Sequence, residues 1–362
     1  MTSMEATAEG QQHPISIYLK IWILLFVLST LSYLVDVMGF ESYLRWGLIL
    51  IFMFLKAGFI VAIFMHMAWE RLALAYAILC PPLCLLVLIG LMAIGVTFVI
   101  ITGGIDLSVG TSMALVGVIT GKTVMAMNLN VWSGILLGLI VGTILGAING
   151  VLITVLKLPP FIATLATMKG AQGLALITSD LKPILFTTDV KGWDSIAQGN
   201  IIPNLPNAVL ILLVAAVVAS IILNKTVLGR YTFAIGSNTE ATKLSGVKVN
   251  RWLIAVYALC GFFVGLSAIV MTSRLGSAQP DLGLGYELEA IAAVIIGGTS
   301  LLGGKGTISG TIIGALIMSV LINGLRILEL QQEWQYVVVG AVILLAVYGD
   351  NVRRRRAGET TH

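Results

Sequence analysis

The chain has 362 residues, of which 58% are hydrophobic and 10% charged, with a formal net charge of +4. A mean hydropathy of +1.01 excludes an ordinary soluble domain. So small a net charge carries no information about partners by itself, and no nucleic-acid partner is expected. Apolar runs near the length that crosses a bilayer recur along the chain, since about 20 helical residues at ~1.5 Å each span a ~30 Å hydrocarbon core. The runs are continuous rather than alternating polar and apolar. The expected fold is therefore all-α, a polytopic transmembrane helical bundle, and not a β-barrel.

In chain order, the opening segment MTSMEATAEGQQHP lacks a basic n-region, so no cleaved signal peptide is expected. Eleven candidate spans follow: 16–37, 44–66, 76–101, 108–127, 131–156, 160–178, 207–224, 252–272, 287–303, 308–326 and 335–349. Cys80, Cys84 and Cys260 all lie in apolar runs and read as buried thiols rather than disulfide partners. The run 131–156 carries Gly134, Gly138, Gly142, Gly146 and Gly150 at an unbroken four-residue spacing. On a helix these form one smooth stripe against which another backbone packs closely. Gly261 with Gly265, and Gly310 with Gly314, repeat that face on a smaller scale.

The longest polar interval, 179–206, contains Asp180, Asp189, Asp194, Asn200 and Asn204 and suits an external loop. The other long break, 226–251, is basic, with Arg230, Lys243, Lys248 and Arg251 beside a single acid, Glu240. Arg353 to Arg356 close the last apolar run. The positive-inside rule puts both basic segments on the cytoplasmic side. An even number of crossings must then separate them, which decides for a full span over the short, glycine-rich run 287–303 against its alternative, a re-entrant loop. There is also an internal echo, because VIITGGIDLSVGTS (99–112) and VIIGGTSLLGGKGT (294–307) share an apolar strip, a Gly-Gly pair and small polar residues. Duplicated halves with broken helices are a transporter signature.

No catalytic constellation stands out. His13, His66 and His362 are too scattered for a metal site, and the chain has no phosphate-binding loop. No metal and no cofactor is expected, and any ATP-driven work would need another polypeptide.

The stretch TVLGRYTFAIGSNTEATKLSGV (226–247) resembles the coupling segment of permeases of ribose-type monosaccharide ABC importers. The resemblance continues through ITGGIDLSVGTSMAL (101–115), GAINGVLIT (146–154), LPPFIATLATM (158–168) and ELEAIAAVIIGGTSLLGGKGTISGTIIGALI (287–317), covering roughly 94–352 in order. It implies a multi-pass subunit of the bacterial inner membrane that does not itself hydrolyse ATP. It further implies two permease copies, two cytoplasmic ATPase subunits and an external sugar-binding protein. By that likeness Gly229, Arg230, Gly236, Asn238 and Glu240 belong to the ATPase-docking surface, and Thr242 stands where the family tends to place alanine.

Within the membrane, Asp106 is the most informative acid, because an ionised carboxylate at mid-bilayer costs ~2.5–3.5 kcal/mol even on the lenient insertion scale. Together with Ser108, Asn149 and Asn323 it is a candidate for the translocation path or for a break between helices. Arg274, Asp281, Glu287 and Glu289 flank external ends of spans and are expected to be solvated, or to meet the binding protein.

Residues 1–93 differ from that family. HPISIYLKIWILLFVLSTLSYLVD and LRWGLILIFMFLKAGFIVAIFMHMAWER resemble the small subunit IV of bacterial haem–copper oxidases, with Lys56 and His66 in the second run. The expected organisation is an oxidase-subunit-like module (1–93), a permease domain lacking the family's usual first helix (94–352) and a basic cytoplasmic tail (353–362). A structural oxidase subunit carrying a passenger permease segment, or a non-functional chimera, are the other readings of this join.

Overall fold

The computed structural model describes residues 23–30, 72–186, 192–203 and 205–356. The chain divides into two compact units, Met1–Cys80 and Pro81–His362. In the first, residues 23–30 are helical, and Ser29 Oγ donates to the Leu25 carbonyl at 2.7 Å. Beyond residues 23–30, the expected spans 16–37 and 44–66, with Lys56 and His66, lie outside the described residues, as does the end of the tail from residue 357.

Helix α1 (Leu72–Ile101) carries Pro81 and Pro82 in its interior and from Leu88 onward is buried on every side. A helix that is apolar all round belongs in a core. After α1 come α2 (Val109–Ala126), α3 (Val131–Thr154) and α4 (Pro160–Thr178), joined by short turns. The Asn130 side chain caps α3 by accepting from Ser133 N at 2.9 Å, and Pro160 opens α4 at its first position, where its missing N–H costs nothing.

The described residues of the interval 179–206 include regular structure. Strand β1 (Ile184–Leu185) pairs antiparallel with β2 (Ser277–Ala278), and the short helix α5 (Ser195–Gln198) follows. Trp193, 2% exposed, stacks on Phe186 at 4.9 Å. Helix α6 (Asn207–Lys225) leads into the basic segment, which forms α7 (Val227–Ser237) and α8 (Thr239–Leu244). Then come α9 (Val249–Leu275), α10 (Tyr286–Ile296), α11 (Ile308–Ile327) and α12 (Gln332–Arg356).

Among the described residues, seven helical stretches are long and apolar enough to cross a membrane: Pro82–Ile101 of α1, and α2, α3, α4, α6, α9 and α11. The apolar part of α12, Gln332–Tyr348, is shorter. The expected helical span over 287–303 is corrected. The helix there, α10, has 11 residues, which at ~1.5 Å per residue is about half of a ~30 Å core. Gly285 (φ +94°) precedes it, and Gly298 (φ +86°), Gly303 (φ +84°) and Gly304 (φ +74°) follow. Those left-handed positions stop a helix from continuing. The irregular backbone on both sides is only partly buried: Gly283, Thr299 and Ser300 are enclosed, whereas Leu284 and Leu302 are exposed.

The glycine stripe of α3 lies against α9. A methyl group on Gly142 would meet Gly265 Cα at 2.8 Å, and one on Gly146 would meet Gly261 Cα at 3.0 Å. Gly150 faces Ile254 Cα, Gly138 faces Ile269 and Gly134 faces Trp193. Two residues out of phase, Leu136, Ile140, Ile144 and Ile148 are exposed. One face of α3 is thus smooth and buried, and the opposite face presents bulky apolar side chains outward, as a lipid-facing surface does.

Candidate functional site

The seven residues between α1 and α2 form a tight, buried break. Asp106, 2% exposed, accepts through Oδ1 from Ser108 N at 2.9 Å and from Ser108 Oγ at 2.6 Å. An aspartate bonding the backbone two residues on mimics a turn, so this carboxylate shapes the start of α2. Asn149 of α3 donates from Nδ2 to Ser108 Oγ at 2.8 Å and to Asp106 Oδ2 at 3.4 Å. Thr164 of α4 donates to the Ile105 carbonyl at 3.3 Å. From α9, the Tyr257 ring leaves no room for a side chain at Gly104. Three helices therefore grip one short loop. Hydrogen-bond donors, not a cation, face Asp106 among the described residues, which offsets part of the cost of burying it.

The second break, 297–307, packs against the first. Gly304 N donates to the Ile101 carbonyl at 2.9 Å, and the Thr97 and Thr311 hydroxyls bond one another at 2.7 Å. Helix α11 starts from Thr307, whose Oγ1 accepts from Gly310 N at 3.1 Å. The two echoing segments of the sequence are thus both helix breaks, and they touch.

The basic elbow meets them at the same point. A side chain on Gly236 would run into the Ile101 carbonyl and come within 2.7 Å of Gly304 N. At Gly229, which is buried, the Leu223 carbonyl fills the space in the same way. Both glycines therefore face the protein's own backbone, whereas Arg230 and Glu240 are exposed. Asn238 caps α8, accepting from Ala241 N at 2.9 Å. Thr242 is buried and back-bonded to the Asn238 carbonyl at 2.8 Å.

Of the four residues expected at a path or break, Asp106, Ser108 and Asn149 come together. Asn323, buried in α11, makes no hydrogen bond to that cluster among the described residues. Sequence reasoning missed Thr97, Thr311 and Tyr257. The buried threonines have no local signal, because their partners lie more than two hundred residues away.

At the other end of α9, the expectation for Glu287 is corrected. It is 5% exposed rather than solvated, with its carboxylate folded back to accept from Gly285 N at 3.0 Å and 3.1 Å. A carboxylate in a helix's first turn also complements the helix dipole. Asp281, Glu289, Arg326, Gln335 and Tyr336 line a cavity of about 900 Å³ between α10, α11 and α12.

A profile for the family described as branched-chain amino acid transport system / permease component matches residues 82–347. A second, described as prokaryotic cytochrome c oxidase subunit IV, matches residues 19–90. The chain is 47% identical over 261 residues to the ribose import permease protein RbsC of Bacillus subtilis, covering 72% of this chain and 80% of that protein. It is 42% identical over 268 residues to RbsC of Escherichia coli K12, covering 73% and 82%. It is 38% identical over 272 residues to the L-arabinose transport system permease protein AraH of the same strain, covering 74% and 80%. No solved structure gives a significant match.

Proposed function

Because this chain belongs to the family of branched-chain amino acid transport system permease components, we propose that it is the membrane subunit of a monosaccharide ABC importer, driven by a separate ATPase. It is a multi-pass transport subunit and not an enzyme. Although the family description speaks of amino acids, the relatives are named for ribose and L-arabinose, which favours a monosaccharide of the ribose type. The expected setting is the bacterial inner membrane, as a homodimer that receives sugar from an external binding protein. With the elbow and the arginine tail both inside, an even number of crossings separates them, which the proposal meets by counting the broken passage through α10 as one of about eleven.

The observation that carries the mechanism is the meeting of elbow, first break and second break at Ile101, Gly236 and Gly304. Movement of α7 by an ATPase would act directly on the backbone where two helices are interrupted. In transporters broken helices typically build the site around which one part of the bundle rocks against the other, and rigid-body rotation of this kind is a known switching mode. In this reading Arg230 and Glu240 meet the motor, and Gly229 and Gly236 transmit its motion inward. Arg230 suits a carboxylate or a helix C-terminus on the partner.

The test is co-purification with the cognate ATPase subunit. Arg230→Glu is expected to lose most of the bound ATPase and of sugar uptake while the protein stays in the membrane. Unchanged ATPase binding contradicts the docking assignment.

The match of residues 19–90 to the oxidase subunit favours a second reading, an accessory oxidase subunit with a passenger permease segment. It predicts co-purification with a haem–copper oxidase and uptake indifferent to the chain. A chimera without function predicts neither. We divide the chain at 93/94 and 352/353, the first division falling inside the unbroken helix α1.

A further inference from the structure

A second feature of the elbow adjoins Glu240, one of the two residues assigned to the motor. Lys157, Lys243, Lys248 and Arg251 converge on one groove of about 700 Å³, between the end of α3, helix α8 and the start of α9. All four are exposed. They come from three separate parts of the chain, so their convergence is a product of the fold. Glu240 is the single acid on the groove, and no ion pair or side-chain hydrogen bond engages any of the four cations among the described residues. The groove is a concentration of positive charge that the chain does not neutralise.

Its surroundings are apolar. Val155, Leu156 and Leu158 flank Lys157 and are exposed, and Leu244, next to Lys243, is 87% exposed. Just beyond the groove, Tyr231 and Trp252 pack edge to face at 4.8 Å, the residue types that sit at a membrane's headgroup level. Cations interleaved with outward leucines at the mouth of membrane-length helices match a molecule with an anionic head and an apolar tail. A soluble acidic partner would leave the leucines without a purpose.

We propose that this groove binds the phosphate of an anionic phospholipid of the inner leaflet, with Lys157, Lys243, Lys248 and Arg251 around the headgroup. Juxtamembrane clusters of lysine and arginine attract anionic lipid, and the attraction weakens with salt. Bound lipid would tie the α3–α4 turn to α8 and so set the resting position of the elbow. The inference rests on the reading that puts this face inside, but lipid binding in detergent is blind to sidedness, so the two fail separately.

The experiment uses the full chain in detergent, titrated with short-chain phosphatidylglycerol, short-chain phosphatidylcholine or inorganic phosphate. Saturable binding of phosphatidylglycerol is expected, well above that of the other two. In Lys157→Gln/Lys248→Gln its affinity should fall roughly thirtyfold, as loss of two surface cations implies, and Lys157→Arg/Lys248→Arg should retain it. An equal response to phosphatidylcholine, or full affinity in the glutamine variant, overturns the proposal. So does equal competition by inorganic phosphate, which would make the groove a free-anion site. Loss of ATPase binding in the glutamine variant with lipid affinity unchanged overturns it too, since the groove would then be part of the motor's dock. The arginine variant guards against misfolding, because it preserves charge at the same positions.

Discussion

Gly146→Leu is expected to dismantle the close pairing of α3 with α9. Gly146 lies against the Tyr257 carbonyl and the backbone of Gly261, and Gly261 lies reciprocally against Gly142 and Gly146. What a new side chain meets there is main chain, which has no alternative rotamer. Overpacking a well-filled interior costs typically ~1–3 kcal/mol where side chains can move aside, and here α3 and α9 would have to separate along their length. Separation would also pull Asn149 away from Ser108 and Asp106 and Tyr257 away from Gly104, so the first helix break would loosen as well. Thermal unfolding of the purified protein should show a lower midpoint by several degrees or more, with uptake lost. The internal control is Ile144→Leu, on the exposed side of the same helix, where a change within about 0.5 kcal/mol is expected. Equal stability of Gly146→Leu and the parent would mean that α3 and α9 do not pack as described.

Gly236→Val is expected to uncouple. The new side chain would collide with the Ile101 carbonyl and crowd Gly304 N, the pair whose 2.9 Å hydrogen bond joins the two breaks. The elbow would be pushed off that junction. Arg230 and Glu240, exposed on the outer side, would remain available to a partner. Uptake should therefore fall more than about tenfold, the equivalent of ~1.4 kcal/mol in coupling, while ATPase co-purification persists. If Gly236 instead contributed its own surface to the dock, ATPase binding would fall in step with uptake. Normal uptake by the valine variant would remove Gly236 from the coupling route altogether.

How much of this was legible in the sequence depends on the range of the contact concerned. The glycine stripe of α3 was legible because a four-residue spacing is a property of the helix itself. The side chains that Gly134 and Gly138 would meet, Trp193 and Ile269, were not. The Asp106 turn was partly legible, since the sequence Gly-Gly-Ile-Asp-Leu-Ser already carries turn chemistry and a carboxylate that needs donors. Its closure by Asn149, forty-three residues on, was not. For residues 287–303 the parity of crossings asked for a full span, and parity is blind to the left-handed glycines at 298, 303 and 304 that interrupt the helix. Glu287 misled for a related reason: a carboxylate at a helix start reads as solvated until the Gly285–Gly283 turn folds it inward. The echo of 99–112 in 294–307 pointed to two like breaks, and their mutual contact through Ile101 and Gly304 is purely tertiary.

The proposed mechanism requires the elbow on the cytoplasmic side of the membrane. Ser237, exposed at the end of α7, reports this directly when replaced by cysteine in a chain whose own three cysteines are substituted. With a membrane-impermeant maleimide, labelling is predicted in inside-out vesicles and not in intact cells. Labelling in intact cells alone would place the elbow outside, beyond the reach of any cytoplasmic ATPase, and would contradict the account.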